Sequence, residues 1–126
     1  VGDESVPTMG DVSRELLSGG CTAISIKTAR GGFSNATRIL NLCEGMGVEV
    51  MIGNQIDTQL GTAASLAFGA AHKATTKKAA ELSNYLDMAD DLVVNPLKIS
   101  NGEMHVSTLP GVGIELDEEK LAHYRV

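Results

Sequence analysis

At 126 residues, with 43% hydrophobic residues but only 3% aromatic and no Trp, the chain is one domain or a piece of one, its core built from Leu, Ile, Val, Ala and Met. A formal charge of −6 argues against a nucleic-acid or anionic-membrane surface, since neither attracts an acidic domain. Two cysteines, Cys21 and Cys43, are too widely spaced for a metal knuckle and too few for a disulfide framework, and no run nears the ~20 apolar residues that span a bilayer, so a reduced, cytoplasmic setting is expected.

Residues 1–5 read as the tail of a strand ending in two acids, Asp3 and Glu4. Pro7 and Thr8 supply a turn and a helix start, and residues 9–18 carry Val12, Leu16 and Leu17 at helical spacing until Gly19 and Gly20 stop them. A buried strand over 22–26 follows and ends at Lys27. Ser34 reads as the cap of the next helix, with Ile39, Leu40, Leu42, Cys43 and Met46 as its apolar face. Gly45 and Gly47 mark its exit. A strand over 49–52, a polar loop over 53–59, an Ala- and Leu-rich helix over 60–72 and a short segment over 79–83 come next. Beyond these, 92–94 and 97–99 look extended, Asn101-Gly102 is a hairpin signal, and Asp117 is suited to cap a last helix through His123.

Alternating strands and helices imply parallel strands joined by right-handed crossovers. Asp3, Lys27, Asp57 and Glu81 recur at intervals of 24, 30 and 24 residues (3 to 27, 27 to 57, 57 to 81), about one βα unit each. Each falls where a strand gives way to a helix, the carboxyl end, which in (β/α) barrels holds the active site.

Each residue also has a plainer reading. Asp3 and Glu4, adjacent on a strand, face opposite ways; one is placed to bind a hard divalent ion, or both form a solvated acidic turn. Lys27 is either a general base whose pKa burial lowers, or a lysine snorkelling from a strand end. Asp57 suits helix capping as well as ligand contact, and Glu81 could sit on the surface. Gly31-Gly32 suits either an anion cradle or a tight turn. His72, His105 and His123 share no metal-like spacing, and the two thiols read as core residues.

With these residues in place, the chain resembles the C-terminal part of an enolase-superfamily enzyme, of the muconate-lactonising (muconate cycloisomerase, mandelate racemase-like) subgroup. The resemblance rests on G-D-E-S-V at 2–6, I-K-T-A-R-G-G at 26–32, Q-L-G-T at 59–62, A-E-L-S at 80–83 and P-G-V-G-I-E-L-D at 110–117, in the right order and spacing. It implies an α/β fold, the C-terminal half of a TIM-type barrel. Residues 1–91 would hold barrel strands five to eight, and 92–126 a hairpin and helix returning to a capping domain. Asp3 would be one of three carboxylate ligands to Mg²⁺ (or Mn²⁺), with Glu4 beside it but not on the metal. Lys27 would be one of two lysines flanking the substrate α-carbon, with Asp57 and Glu81 contacting substrate or intermediate.

The implied chemistry is proton transfer α to the carboxylate of a small substrate through an enediolate, most simply that of a muconate-type cycloisomerase. Dipeptide epimerase, amino-acid racemase and acid-sugar dehydratase chemistries remain open, as does a non-catalytic half-barrel that serves as a binding module. The pattern lacks a capping domain, the first four strands, the second-strand lysines and the other metal ligands. The chain is therefore expected to be a fragment of a longer, homo-oligomeric enzyme, and inactive in isolation.

Overall fold

The computed structural model describes residues 1–125, and in it short parallel strands alternate with helices. α1 (Met9–Leu17) starts at Thr8, whose hydroxyl accepts the Asp11 amide while the Asp11 carboxylate accepts the Thr8 amide. This reciprocal pair satisfies two donors that the first turn leaves free. Gly19, at φ 70°, turns the chain out of the helix in a conformation that a Cβ would strain. β1 (Ala23–Ile26) is buried at all four positions, as a strand covered on both faces should be.

α2 (Thr28–Gly45) departs from the sequence reading. It begins directly after Lys27 and is interrupted at Gly32 (φ 69°, ψ −179°), so Ser34 lies inside the second segment instead of capping it. Only a glycine takes that backbone conformation cheaply, and it sets a first turn, residues 28–31, apart from the main helix. Ile39, Leu40 and Cys43 face the core as expected, but Met46, past the helix end, is exposed.

β2 (Glu49–Ile52) runs parallel to β1, with Ala23 opposite Glu49 and Ile26 opposite Ile52. α3 (Gln59–Ala71) packs over them, followed by 3₁₀ turns at Lys73–Lys77 and Asn84–Asp87. The strands expected at 1–5 and 79–83 shrink to single parallel bridges, Gly2 with Ile24 and Gly53 with Glu81. At the first of these the chain turns at once: the Asp3 carbonyl accepts the Val6 amide instead of extending a ladder. The lateral order is nonetheless Gly2, β1, β2, Glu81, all parallel, so the carboxyl ends share one rim.

Residues 92–125 fold back on themselves and dock on the rest, with Val93 buried and Met104 packed against the core. Val93 bridges Leu116 antiparallel, and β3 (Ile99–Ser100) and β4 (Glu103–Met104) form a hairpin over Asn101-Gly102. Both turn residues have positive φ, 53° and 78°, the signature of a type I′ turn. α4 (Glu118–Tyr124) is capped by Asp117, which accepts the Glu119 and Lys120 amides. Asp90 ties it down by accepting from Lys120 Nζ at 2.5 Å and Tyr124 Oη at 3.0 Å.

The core between sheet and helices is mostly aliphatic, with Phe68 as its aromatic member. Val12, Ile24, Leu40, Cys43 and Val50 are 1% exposed or less, whereas Leu17 is 81% exposed. Leu40→Ala should cost about 2–5 kcal/mol, and Leu17→Ala within ~0.5 kcal/mol of nothing, by urea unfolding of the full-length protein. Hydrogen bonding to Lys120 holds the Asp90 carboxyl down at about 2 against its ordinary 3.8. Its tie to α4 is thus fully present above pH 3.8 and lost as the pH falls through about 2. A side-chain carboxyl NMR titration should place Asp90 well below free aspartate, and Lys120→Met should bring it back up.

Candidate active site

β1 ends at Ile26, so Lys27 stands at the carboxyl rim as the residue that opens α2. Its side chain is only 6% exposed. The Nζ lies 2.5 Å from Glu4 Oε1 and 2.9 Å from Asp3 Oδ1. Arg30, one helical turn further on, joins the same acids. Its Nη2 is 2.7 Å from Glu4 Oε1 and 3.4 Å from Asp3 Oδ1, and its Nη1 donates to the Asp3 carbonyl at 2.8 Å. Two nearly buried cations therefore meet two carboxylates on the neighbouring segment.

The pKa of Lys27 shifts the opposite way to that expected from its burial. Burial is the largest single influence and pushes its pKa down, but hydrogen bonds and attraction from Glu4 and Asp3 together outweigh it and raise the pKa above 10.5. The strand end is apolar, as the sequence indicates; the acids that face it come from 23 and 24 residues away. The hydrogen bond from Lys27, with Arg30 behind it, in turn holds the Glu4 carboxyl below its usual range.

The other two predicted residues line the same cavity of about 650 Å³ as Asp3, Glu4 and Lys27. Asp57 lies in the loop after β2, and Glu81 is exposed on the far wall beyond Gly53. Asp57 is not a cap of α3: it accepts the Gln55 amide at 3.0 Å and so closes its own loop. The N-cap position is Thr58, whose side chain makes no capping bond; Asp91 supplies one from 32 residues away, its carboxylate accepting the Gln59 amide at 2.8 Å. Gln59 in turn accepts the Leu97 amide at 2.5 Å.

Sequence reasoning passed over Arg30, Asn54 and Asp91. Arg30 had a legible signal, three residues after Lys27 and so on the same face of the first turn. Asn54 is 3% exposed, donates to Thr62 Oγ1 at 2.7 Å, and lines the cavity. Asp91 had no local signal at all.

Among the described residues no group of three or more His, Cys, Asp or Glu is placed to hold a metal ion. Asp3 fits as one contributor: it lines the cavity, its side chain is 36% exposed, and both its cations sit on Oδ1. Glu4 takes the same two cations on Oε1, and its side chain is more open, at 72% exposed. No described helix is long and apolar enough to cross a membrane.

The family model described as "Enolase C-terminal domain-like" matches residues 1–120. An o-succinylbenzoate synthase of Bacillus subtilis (strain 168) is 31% identical over 124 residues, 97% of this chain and 33% of that protein. A muconate lactonizing enzyme from Mycobacterium smegmatis superposes with a TM-score of 0.94 at 57% identity, covering 98% of this chain and 35% of the other. The L-Ala-D/L-Glu epimerase from Bacillus subtilis, in a substrate-liganded complex, gives a TM-score of 0.79 at 31% identity, over 89% of this chain and 31% of the other. The chain spans about a third of the length of the curated relatives it matches. Those relatives are enzymes. The resemblance drawn from the motifs is borne out, and so is the C-terminal barrel half that it implied.

Asp91 makes the rim depend on the tail. Asp91→Ala should destabilise the full-length protein by about 0.5–2 kcal/mol, the usual cost of a lost helix cap. Asp91→Asn, which keeps an acceptor, should recover most of it in the same urea titration.

Proposed function

The chain belongs to the enolase C-terminal domain-like family, and from that footing we propose that its full-length protein moves a proton on the carbon next to a substrate carboxylate, as a muconate-type cycloisomerase. The observation that carries this reading is Lys27: a nearly buried ammonium at a barrel rim, facing an open acidic cavity. The likeness to a muconate lactonizing enzyme at 57% identity favours the cycloisomerase over its relatives.

Lys27 is the group that carries the proton. Held as an ammonium by Asp3 and Glu4, it is loaded to deliver a proton to the α-carbon, and in reverse it takes that proton back. Arg30 keeps Asp3 and Glu4 in place through the Asp3 carbonyl, leaving Lys27 free to move its proton without the acids swinging away. Asp57 and Glu81, on the facing wall, would orient the rest of a small carboxylate substrate. Asp3 would hold a Mg²⁺ (or Mn²⁺) together with ligands from elsewhere in the full-length protein, and that ion supplies positive charge where the substrate carboxylate gains negative charge. The setting we propose is cytoplasmic, with the full-length enzyme a homo-oligomer.

A second reading keeps the same lysine and changes the substrate. The o-succinylbenzoate synthase and dipeptide-epimerase relatives, both 31% identical, favour it. Offering the full-length protein each substrate in turn separates the two.

Given its substrate in D₂O, the full-length protein should exchange the α-proton, and Lys27→Ala should slow that exchange by about 10²–10⁴-fold. Near-normal exchange in a folded Lys27→Ala protein would sink the reading.

A further inference from the structure

Gly53 lies at the rim where β2 ends, buried between β1 and the segment that carries Glu81. Its amide donates to the Ile26 carbonyl at 3.0 Å, and the Glu81 amide donates to the Ile52 carbonyl just before it at 2.8 Å. The backbone here is thus held from both sides. Nothing in the backbone calls for glycine: the positive-φ glycines are at 19, 32, 47, 102, 111 and 113, and Gly53 is not among them.

What calls for glycine is space. A Cβ at this position would stand 2.5 Å from Ser25 Oγ, 3.2 Å from Lys27 Cε and 3.4 Å from Lys27 Cγ. The first distance is one that real Cβ atoms do not show, and the second requires the lysine to give way by a few tenths of an ångström. The aliphatic stem of Lys27 therefore lies across the bare backbone of the next strand. Ser25 Oγ, beside it, has no hydrogen-bond partner among the described residues.

We infer that Gly53 is a positioning residue for Lys27: its missing side chain is the slot that lets the lysine stem pass over the backbone just beyond β2 and sets where Nζ arrives. The inference rests on the proton-transfer role given to Lys27. Proton transfer is steep in geometry, and a shift of about 1 Å in a positioned group costs on the order of 10²-fold in rate. A displacement of tenths of an ångström at Cε, passed on to Nζ, is expected to cost about 10-fold.

The test uses four variants of the full-length protein. Gly53→Ala should lower kcat for α-proton exchange about 10-fold or more while KM stays within about 3-fold. Ser25→Ala removes an unpartnered hydroxyl and should change neither. The double variant Ser25→Ala/Gly53→Ala relieves the 2.5 Å contact and should recover thermal stability, but kcat should stay low because the Lys27 stem is still displaced. Gly69→Ala is the control for crowding, since its Cβ would press on β2 at Ile52 Cγ1, 3.0 Å away. It should lower the Tm and leave kcat alone.

Full recovery of kcat in the double variant would show that Gly53 serves only Ser25 and would overturn the inference; so would unchanged kcat in a folded Gly53→Ala protein. If Lys27→Ala itself kept exchange, the role of Lys27 would fall instead. In that case a crystal structure of the double variant still decides the slot, with an unmoved Nζ against Asp3 and Glu4 counting against it and a displaced Nζ for it.

Discussion

Two cations and two carboxylates at the end of one strand set the terms for this chain. Lys27 and Arg30 are almost withdrawn from water, and a buried cation without a partner is among the costliest things a fold can contain. The partners come from residues 3 and 4, which make only a single bridge with β1 through Gly2. A segment too short to be a strand is thus fixed by charge as much as by its ladder. That in turn places the carboxyl group of Asp3 and the proton of Lys27 on the same side of one cavity.

Around this cluster the rim is assembled from small polar contacts between elements. Thr28 and Ser65 share a buried hydroxyl bond at 2.7 Å, joining the first turn of α2 to α3. Asn54 reaches Thr62, joining the loop after β2 to the same helix. Each of these groups would cost free energy if it were buried alone. Together they favour one relative placement of the loops, which an aliphatic core, tolerant of sliding, does less well.

The elements were legible wherever local chemistry decides them. The Thr8 start, the Asn101-Gly102 turn and the Asp117 cap follow from residues within a few positions of each other. β2 is found at 49–52 because alternation and flanking glycines bound it on both sides. The start of α2 was not legible, since a serine that suits a cap outweighed a glycine whose unusual backbone angle appears only in the fold. The rim spacing of Asp3, Lys27, Asp57 and Glu81 did bring all four to one cavity, because βα units have a nearly constant length. The lowered pKa read for Lys27 as a general base did not hold, for the opposite reason: its neighbours in space are not its neighbours in sequence. Asp91, which caps a helix 32 residues earlier, is the same lesson in the other direction.

The Gln59 contacts also bear on how such a chain comes off the ribosome. Its amide and its side chain wait for Asp91 and for Leu97, which follow it by 32 and 38 residues. At about 5–20 residues per second, a nascent chain reaches them roughly 2–8 s after Gln59 has been made. Through that interval the start of α3 has neither partner, and the loop bearing Asn54 and Asp57 is tethered at one end only. The cavity wall is therefore among the last parts of the molecule to be finished, well after the strand that leads into Lys27.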